Sequence, residues 1–342
     1  MMTLMKAVQV SSPGGDFELV EREIPEPKEY EVLIKVEACG ICHGDALVKE
    51  GAYWGNVEYP RVPGHEVVGT IDKLGSDVSG WEIGQRVGVG WYGGPCHECY
   101  FCREGDYSNC ISFLTTGMSF DGGYAEYMVA PKQALALIPE ELSSVEAAPL
   151  LCAGRTTYTA LRNSGAKGGD VVAIQGLGGL GHLAVQFSRK LGFKTVALSR
   201  GTEKEELAYQ LGAHVYIDTE ATNPAEELKK LGGARVILAC APSSQAIADV
   251  VNGLGFDGLL LIVAWPSEPM QIIPGMLNGG RRSIRGWTAR VGREPAEDAL
   301  RFSVLTGVLP MIEVFPLEEA ALAYEKMMTS KVHFRSVLKM GD

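Results

Sequence analysis

Over roughly the first 140 residues, apolar and polar positions alternate with a period of two, and glycine-rich turns separate the alternating runs. Glu31 to Glu37 (EVLIKVE), Glu66 to Asp72 (EVVGTID), Arg86 to Trp91 and Tyr124 to Ala130 (YAEYMVA) each predict a half-buried strand. Few long helical patterns interrupt them. At Ser143 the period changes. Ser143 and Glu146 form an S-x-x-E capping box that opens a helix, and Pro149 predicts a split or kink in it. From Asp170 onward the pattern is strand, helix, strand, helix. The strands read VVAIQG, TVALS, HVYID, RVILAC and GLLLIVAW, with helical segments such as Gly179 to Leu191 and Glu203 to Leu211 between them. Mostly apolar strands alternating with helices predict a parallel sheet covered on both faces. Glu294 to Thr306 is helical in pattern, and Ser336 to Met340 is a strand that could rejoin the first domain.

Composition narrows the class. A chain of 342 residues predicts two domains. Hydrophobic residues at 46% and charged residues at 21% are ordinary globular usage and exclude wholesale disorder. Thirty-one Lys+Arg against 42 Asp+Glu leave a net charge of −11, which argues against nucleic acid or an anionic membrane as the main partner. The longest apolar run, Gly258 to Trp265, has the length of a buried strand and falls short of a membrane span. The start, MMTLMKAVQV, lacks a leader pattern, so the expected compartment is the cytoplasm.

Cysteines supply the first chemistry. Four of the eight lie in GPCHECYFCREGDYSNC as Cys96, Cys99, Cys102 and Cys110, spaced C-x2-C-x2-C-x7-C. Short gaps let one loop present several thiolates to one ion, and the longer gap, with Gly105, lets the chain turn back to close the fourth corner. Four sulfurs leave no open position, which predicts a structural zinc site ahead of an iron–sulfur cluster. His97 is expected to be an exposed loop residue. Cys42 in CGICHGD, His65 in PGHEVVG and Cys152 in APLLCAG would together make a Cys2His set with one position open, the arrangement of a catalytic zinc. Spacing alone does not bring them together. On that ground two buried free thiols and a core histidine remain the simpler reading, as they do for Cys39 and Cys240.

Strand VVAIQ runs into Gly176-Leu-Gly178-Gly179-Leu180-Gly181 and then a helix. The first glycine permits the tight turn, the second lets backbone approach a pyrophosphate, and the third allows close helix–strand packing. Free N–H groups at the helix start then face the phosphates. The following strand should end in a carboxylate that reads the NAD ribose. Here it ends in Ser199-Arg200-Gly201, with Lys204 close by. A basic pair in that place predicts NADP(H) in preference to NAD(H). The alternative is a solvated basic loop with Ser199 hydrogen-bonding the NAD ribose.

Taken in order, CGICHGD, PGHEVVG, the four-Cys lobe, PLLCAGRTTYTAL and GLGGLG resemble the zinc-dependent alcohol dehydrogenases of the medium-chain dehydrogenase/reductase superfamily. The resemblance implies an α/β fold. A GroES-like β-rich catalytic domain spans residues 1–153, completed by 290–342. A Rossmann doubly wound parallel-sheet domain spans residues 154–289. It implies Cys42, His65 and Cys152 as catalytic zinc ligands, Glu66 as a carboxylate able to enter the coordination sphere, and Asp45 as the group orienting the zinc-bound His. Cys96, Cys99, Cys102 and Cys110 match the structural zinc set, giving two zinc ions per chain. His43 and Arg335 match residues near the cofactor pyrophosphate, Thr156 a residue by the nicotinamide, and Trp54 a residue lining the substrate pocket. The implied activity is hydride transfer between NADP(H) and a zinc-bound alcohol or carbonyl, in a homo-oligomeric dimer or tetramer. Gly44 departs from the family, which usually has Ser or Thr there to start a proton relay. Either a water occupies the space left by the missing side chain, or the enzyme needs no relay, as in relatives that reduce a conjugated C=C bond or an imine. Arg155 also departs, standing where an apolar residue is common. A structural role without catalysis, as in lens relatives, is opposed by the complete ligand set.

Overall fold

The period-two runs become strands that pair mostly antiparallel. The structure, a computed structural model, describes residues 3–52, 57–289 and 293–341. Residues 1–152 with 290–342 form one unit, and residues 153–289 a second.

The first unit opens with β1 (Leu4–Val10) and β2 (Phe17–Glu23), an antiparallel pair that lies ahead of the runs singled out above. Then follow β3 (Glu31–Ile41), β4 (Val67–Leu74), β5 (Arg86–Val89), β6 (Tyr92–Gly94), β7 (Leu114–Thr115), β8 (Tyr127–Pro131) and β9 (Leu135–Leu137). The boundaries differ from the sequence pattern where the site is built. Strand β4 starts at Val67, so His65 and Glu66 stand just before it. Strand β5 stops at Val89, which leaves Trp91 in a bend. Tyr124 pairs outside β8: its N–H donates to the Pro63 carbonyl at 3.0 Å and its own carbonyl accepts from Val8 at 2.8 Å. That pairing ties Tyr124 to the segment carrying His65.

The helix Ser144–Pro149 begins at the expected capping box. Ser143 Oγ accepts from the Glu146 N–H at 3.4 Å, and the Glu146 carboxylate accepts from the Ser143 N–H at 3.1 Å. At Pro149 the α-helix ends and a wider π-type turn, Leu150–Gly154, takes over. Cys152 sits on that turn.

The second unit is a parallel sheet of β10 (Val171–Gln175), β11 (Lys194–Ser199), β12 (Val215–Asp218), β13 (Ala234–Ala239), β14 (Leu254–Ile262) and β15 (Ser283–Gly286) in the order β12-β11-β10-β13-β14-β15. The central strands are apolar along their length, and Ala173, Val196, Ile237 and Leu260 are buried in one core. Strand order reverses beside β10, where an open α/β sheet takes its ligand.

The chain then adds the helix Arg293–Thr306, β16 (Ile312–Pro316) and β17 (Arg335–Lys339) to the first unit. Strand β17 pairs antiparallel with β3 and parallel with β16, so the tail strand lies next to the strand that ends at Ile41. The large sheet runs β16-β17-β3-β4-β5-β9, with β8 also on β3, over a core that includes Ile34, Val67, Val87, Tyr124 and Leu338. No helix among the described residues is long and apolar enough to cross a membrane.

The capping box lies in the segment that leads to Cys152, so its loss should register in stability. Ser143→Ala should cost about 1 kcal/mol in denaturant unfolding, with zinc content unchanged.

Candidate active site

Three short segments of the first unit bring their donors to one place. Strand β3 ends at Ile41, and Cys42 caps a 3₁₀ turn, His43–Asp45. Its Sγ accepts from the Gly44 N–H at 3.5 Å, while Asp45 Oδ2 accepts from the Cys42 N–H at 2.9 Å. His65 and Glu66, both fully buried, come from the approach to β4, and Cys152 from the wide turn. Ligand atoms of Cys42, His65, Glu66 and Cys152 all lie within 4.8 Å of one another. The two sulfurs are 3.9 Å apart. Two thiolates bound at ~2.3 Å to a tetrahedral zinc would be separated by about 3.8 Å.

Electrostatics fit a cation as well. His65 Nδ1 lies 2.9 Å from Asp45 Oδ1, which leaves Nε2 buried without a partner. Asp45 is held in turn by the Tyr124 hydroxyl, which donates to Oδ2 at 2.9 Å. Burial opposes charge on His65, but the Asp45 carboxylate and the Cys42 sulfur outweigh it and hold the imidazole above its usual range. The Cys152 hydrogen bond to its sulfur holds Cys42 well below an ordinary thiol, and the facing imidazole and the Arg335 guanidinium add to that. Cys152, donating that bond while buried, is pushed up. Glu66 Oε1 pairs with Arg335 Nη2, and Oε2 is buried and unpartnered. Burial lifts its carboxyl to about 7 against the pull of Arg335. An imidazole nitrogen, two thiols and a carboxylate oxygen make a donor set suited to zinc, and the two thiols and the imidazole taken without the carboxylate leave one position open, unlike a closed four-Cys site.

The second cluster is local. Cys96, Cys99, Cys102 and Cys110 also place their sulfurs within 4.8 Å of one another. Cys96 Sγ is 3.9 Å from Cys102 Sγ and 3.5 Å from Cys110 Sγ. Backbone N–H groups point at the sulfurs, with Cys96 donating to Cys110 at 3.3 Å and Cys99 donating to Cys96 at 3.4 Å. Backbone donors lower Cys99 to about 6, whereas burial raises Cys102 to about 12. His97 is exposed and stands outside the cluster. Cys39 and Cys240 are buried and belong to neither set.

In the second unit the glycine loop joins β10 to the helix Gly181–Lys190. Gly176 has φ +90°, and a Cβ on Gly181 would lie 1.8 Å from the Gly176 carbonyl oxygen. A Cβ on Gly178 would meet nothing within 4 Å, so the backbone there faces open space. Leu180 precedes the helix as its cap residue. Lys204 Nζ donates to the Leu177 carbonyl at 2.9 Å, which ties the basic segment to the loop. Ser199 ends β11 half-buried, and Arg200 is exposed. Asp218, at the end of β12, accepts from the Gly201 and Glu220 N–H groups at 2.8 and 2.9 Å.

The remaining predicted residues are spread more widely. His43 is exposed on the 3₁₀ turn, and Arg335 is buried against Glu66. Thr156 is half-buried in the helix Arg155–Arg162, and Arg155 is buried there. Trp54 lies outside the described residues. Two residues were not anticipated. Tyr124 braces Asp45, and Trp91 stands edge-on to His65, ring centroids 4.8 Å apart at 85°. An aromatic in an alternating run reads as core, so no local signal marks either of them. A Cβ built on Gly44 would lie 2.7 Å from Trp91 Cζ3 and 2.9 Å from His65 Cε1.

Comparison with known proteins agrees with this geometry. Residues 28–140 match the alcohol dehydrogenase GroES-like domain family, and residues 179–304 match the zinc-binding dehydrogenase family. The chain is 41% identical to an alcohol dehydrogenase of Aspergillus sp. (strain MF297-2), over 92% of this chain and 91% of that one. It is 38% identical to an alcohol dehydrogenase of Geobacillus stearothermophilus, over 99% of this chain and 100% of that one. The crystal structure of CAD from Helicobacter pylori complexed with NADP(H) is 26% identical and superposes with a TM-score of 0.87, covering 99% of both chains.

The unequal thiols of the lobe can be tested directly. In the metal-stripped chain, alkylation of Cys99 should switch on with a midpoint near pH 6, while Cys102 stays unreactive through neutral pH. Peptide mapping across a pH series would read both.

Proposed function

The chain belongs to the zinc-dependent alcohol dehydrogenases of the medium-chain dehydrogenase/reductase superfamily, and from that premise we propose an NADP(H)-preferring enzyme with two zinc ions per chain. It interconverts alcohols and carbonyl compounds with a nicotinamide cofactor. The observation that carries the catalytic assignment is the convergence of the half-buried Cys42 and Cys152 on the buried His65, with an unpartnered Nε2 among them.

When bound, zinc supplies Lewis-acid polarisation of the substrate oxygen and the nicotinamide supplies or accepts hydride at C4. The chain's own residues do the rest. Cys42, His65 and Cys152 would hold the ion, and Asp45 keeps the proton on His65 Nδ1 so that Nε2 presents its lone pair. Glu66 offers a carboxylate oxygen to the same place, and Arg335 offsets the negative charge of Glu66. The four-Cys lobe would hold a structural ion. Leu177 to Gly181 would cradle the pyrophosphate at the start of the helix, with Arg335 and His43 assigned to the same phosphates by family resemblance. Thr156 is assigned to the nicotinamide on the same ground.

Two side chains support the choice of NADP(H). Arg200 is exposed just past β11, and Lys204 is anchored to the glycine loop, so both can meet a 2′-phosphate. Asp218, the carboxylate next to them, is engaged by two backbone N–H groups. The similar Helicobacter pylori structure holds NADP(H). A cytoplasmic homo-oligomer, dimer or tetramer, extends the same family reading, and sedimentation would test the assembly.

Three outcomes are expected. kcat/KM with NADPH should exceed that with NADH by about tenfold or more, and Arg200→Asp should reverse the order. Cys152→Ser and His65→Ala should each abolish turnover and remove one zinc, while NADPH affinity stays within about threefold of wild type. An α,β-unsaturated aldehyde should yield the allylic alcohol; a saturated aldehyde would instead point to conjugated C=C reduction.

A further inference from the structure

The segment after β11 carries Arg200 and Lys204, and β12 with the residue after it holds that segment at three consecutive peptides. Strands β11 and β12 run parallel, and their register ends with Ser199 opposite Asp218. Past that point the Ser199 carbonyl accepts from the Thr219 N–H at 3.0 Å. The Gly201 N–H donates to Asp218 Oδ1 at 2.8 Å. The Gly201 carbonyl accepts from the Tyr216 hydroxyl at 2.6 Å. Both peptides that flank Arg200 are therefore tied to the neighbouring strand, and so is the next one along.

Gly201 gives these bonds their purpose. Its φ is +65°, in the left-handed region that glycine enters at little cost. A Cβ there would come no nearer than 3.9 Å to Glu220 Oε2, so the dihedral angle, and not crowding, asks for glycine. A glycine loosens the chain directly beside the exposed Arg200. Left unheld, such a turn would have to be ordered when a ligand binds, at a cost in affinity. The bonds to Asp218, Thr219 and Tyr216 remove that freedom beforehand. Lys204 is held separately, by its bond to the Leu177 carbonyl at 2.9 Å.

We propose that Tyr216 and Asp218 are positioning residues for cofactor selectivity: by gripping Gly201 at its carbonyl and its N–H, they fix the direction in which Arg200 leaves β11 and preset its guanidinium for the 2′-phosphate of NADP(H). The inference rests on the reading of the cofactor as NADP(H). Neither residue needs to touch the phosphate, since both act through the backbone beside the arginine. A guanidinium rewards such placement, because its planar fork pairs with two phosphate oxygens only in the right orientation.

Binding of adenosine 2′,5′-bisphosphate and adenosine 5′-monophosphate to the zinc-loaded full chain, measured by titration calorimetry, tests this. Wild type should bind the bisphosphate about tenfold or more tighter than the monophosphate. Tyr216→Phe should weaken the bisphosphate about fivefold and the monophosphate by no more than about twofold. Asp218→Ala should do the same, and Tyr216→Phe alone decides the matter if that variant does not fold. In an Arg200→Ala background Tyr216→Phe should cost the bisphosphate no more than about twofold, because the hydroxyl acts through the arginine. A Tyr216→Phe chain that binds both ligands as wild type does would overturn the proposal. So would an equal loss for both ligands, the mark of a merely structural role, or a fivefold loss that persists without Arg200. A wild-type chain that binds the two ligands alike would overturn the NADP(H) reading itself, and the positioning role with it.

Discussion

The structure of the catalytic unit is organised around one costly arrangement. Two thiols, an imidazole, two carboxylates and a guanidinium are gathered together, with His65, Asp45, Glu66 and Arg335 buried and Cys42 and Cys152 half-buried. Charges buried without partners are strongly destabilising, and even a well-made buried ion pair is seldom better for stability than apolar packing. Some of these groups are matched within the protein. Arg335 faces Glu66, and Asp45 faces His65 while accepting from Tyr124 and the Cys42 backbone. Two sulfurs, one imidazole nitrogen and one carboxylate oxygen are left facing one another, and a divalent cation is the group that satisfies all of them together.

That requirement accounts for local features that would otherwise look arbitrary. Strand β4 starts one residue late, after His65 and Glu66, because those two side chains serve the cluster while the chain is still entering the sheet. The helix after Ser143 widens into a π-type turn at the position of Cys152. Tyr124 leaves its strand run and bonds to the Pro63 carbonyl, which brings its hydroxyl over Asp45. Strand β17, from the far end of the chain, lies next to β3 and brings Arg335 to Glu66. The four-Cys lobe shows the opposite economy. Its donors come from a single short segment and leave no place for a substrate atom.

Legibility in the sequence followed the distance over which each feature is determined. The capping box at Ser143 and Glu146 was readable because both partners lie within one helical turn. The glycine loop was readable because a turn between a strand and a helix needs glycine for reasons internal to six residues. The four-Cys lobe was readable for the same reason. Strand ends were less so: Trp91 belongs to an alternating run that stops at Val89, since pairing with the neighbouring strands, and not periodicity, decides where a strand ends. Cys42, His65 and Cys152 could be grouped only through family resemblance, because nothing in their spacing makes them neighbours.

By itself, then, the sequence determined the strand-rich and alternating halves, the thiolate lobe and the phosphate-binding turn, all of which depend on interactions within a few residues. Only the tertiary structure decided that an imidazole, two distant sulfurs and a carboxylate share one point, and that Tyr124 and Arg335 support it. The physical reason is that burial, charge pairing and steric exclusion act between surfaces. Which surfaces meet is settled by how the strands pack, after the local elements have formed.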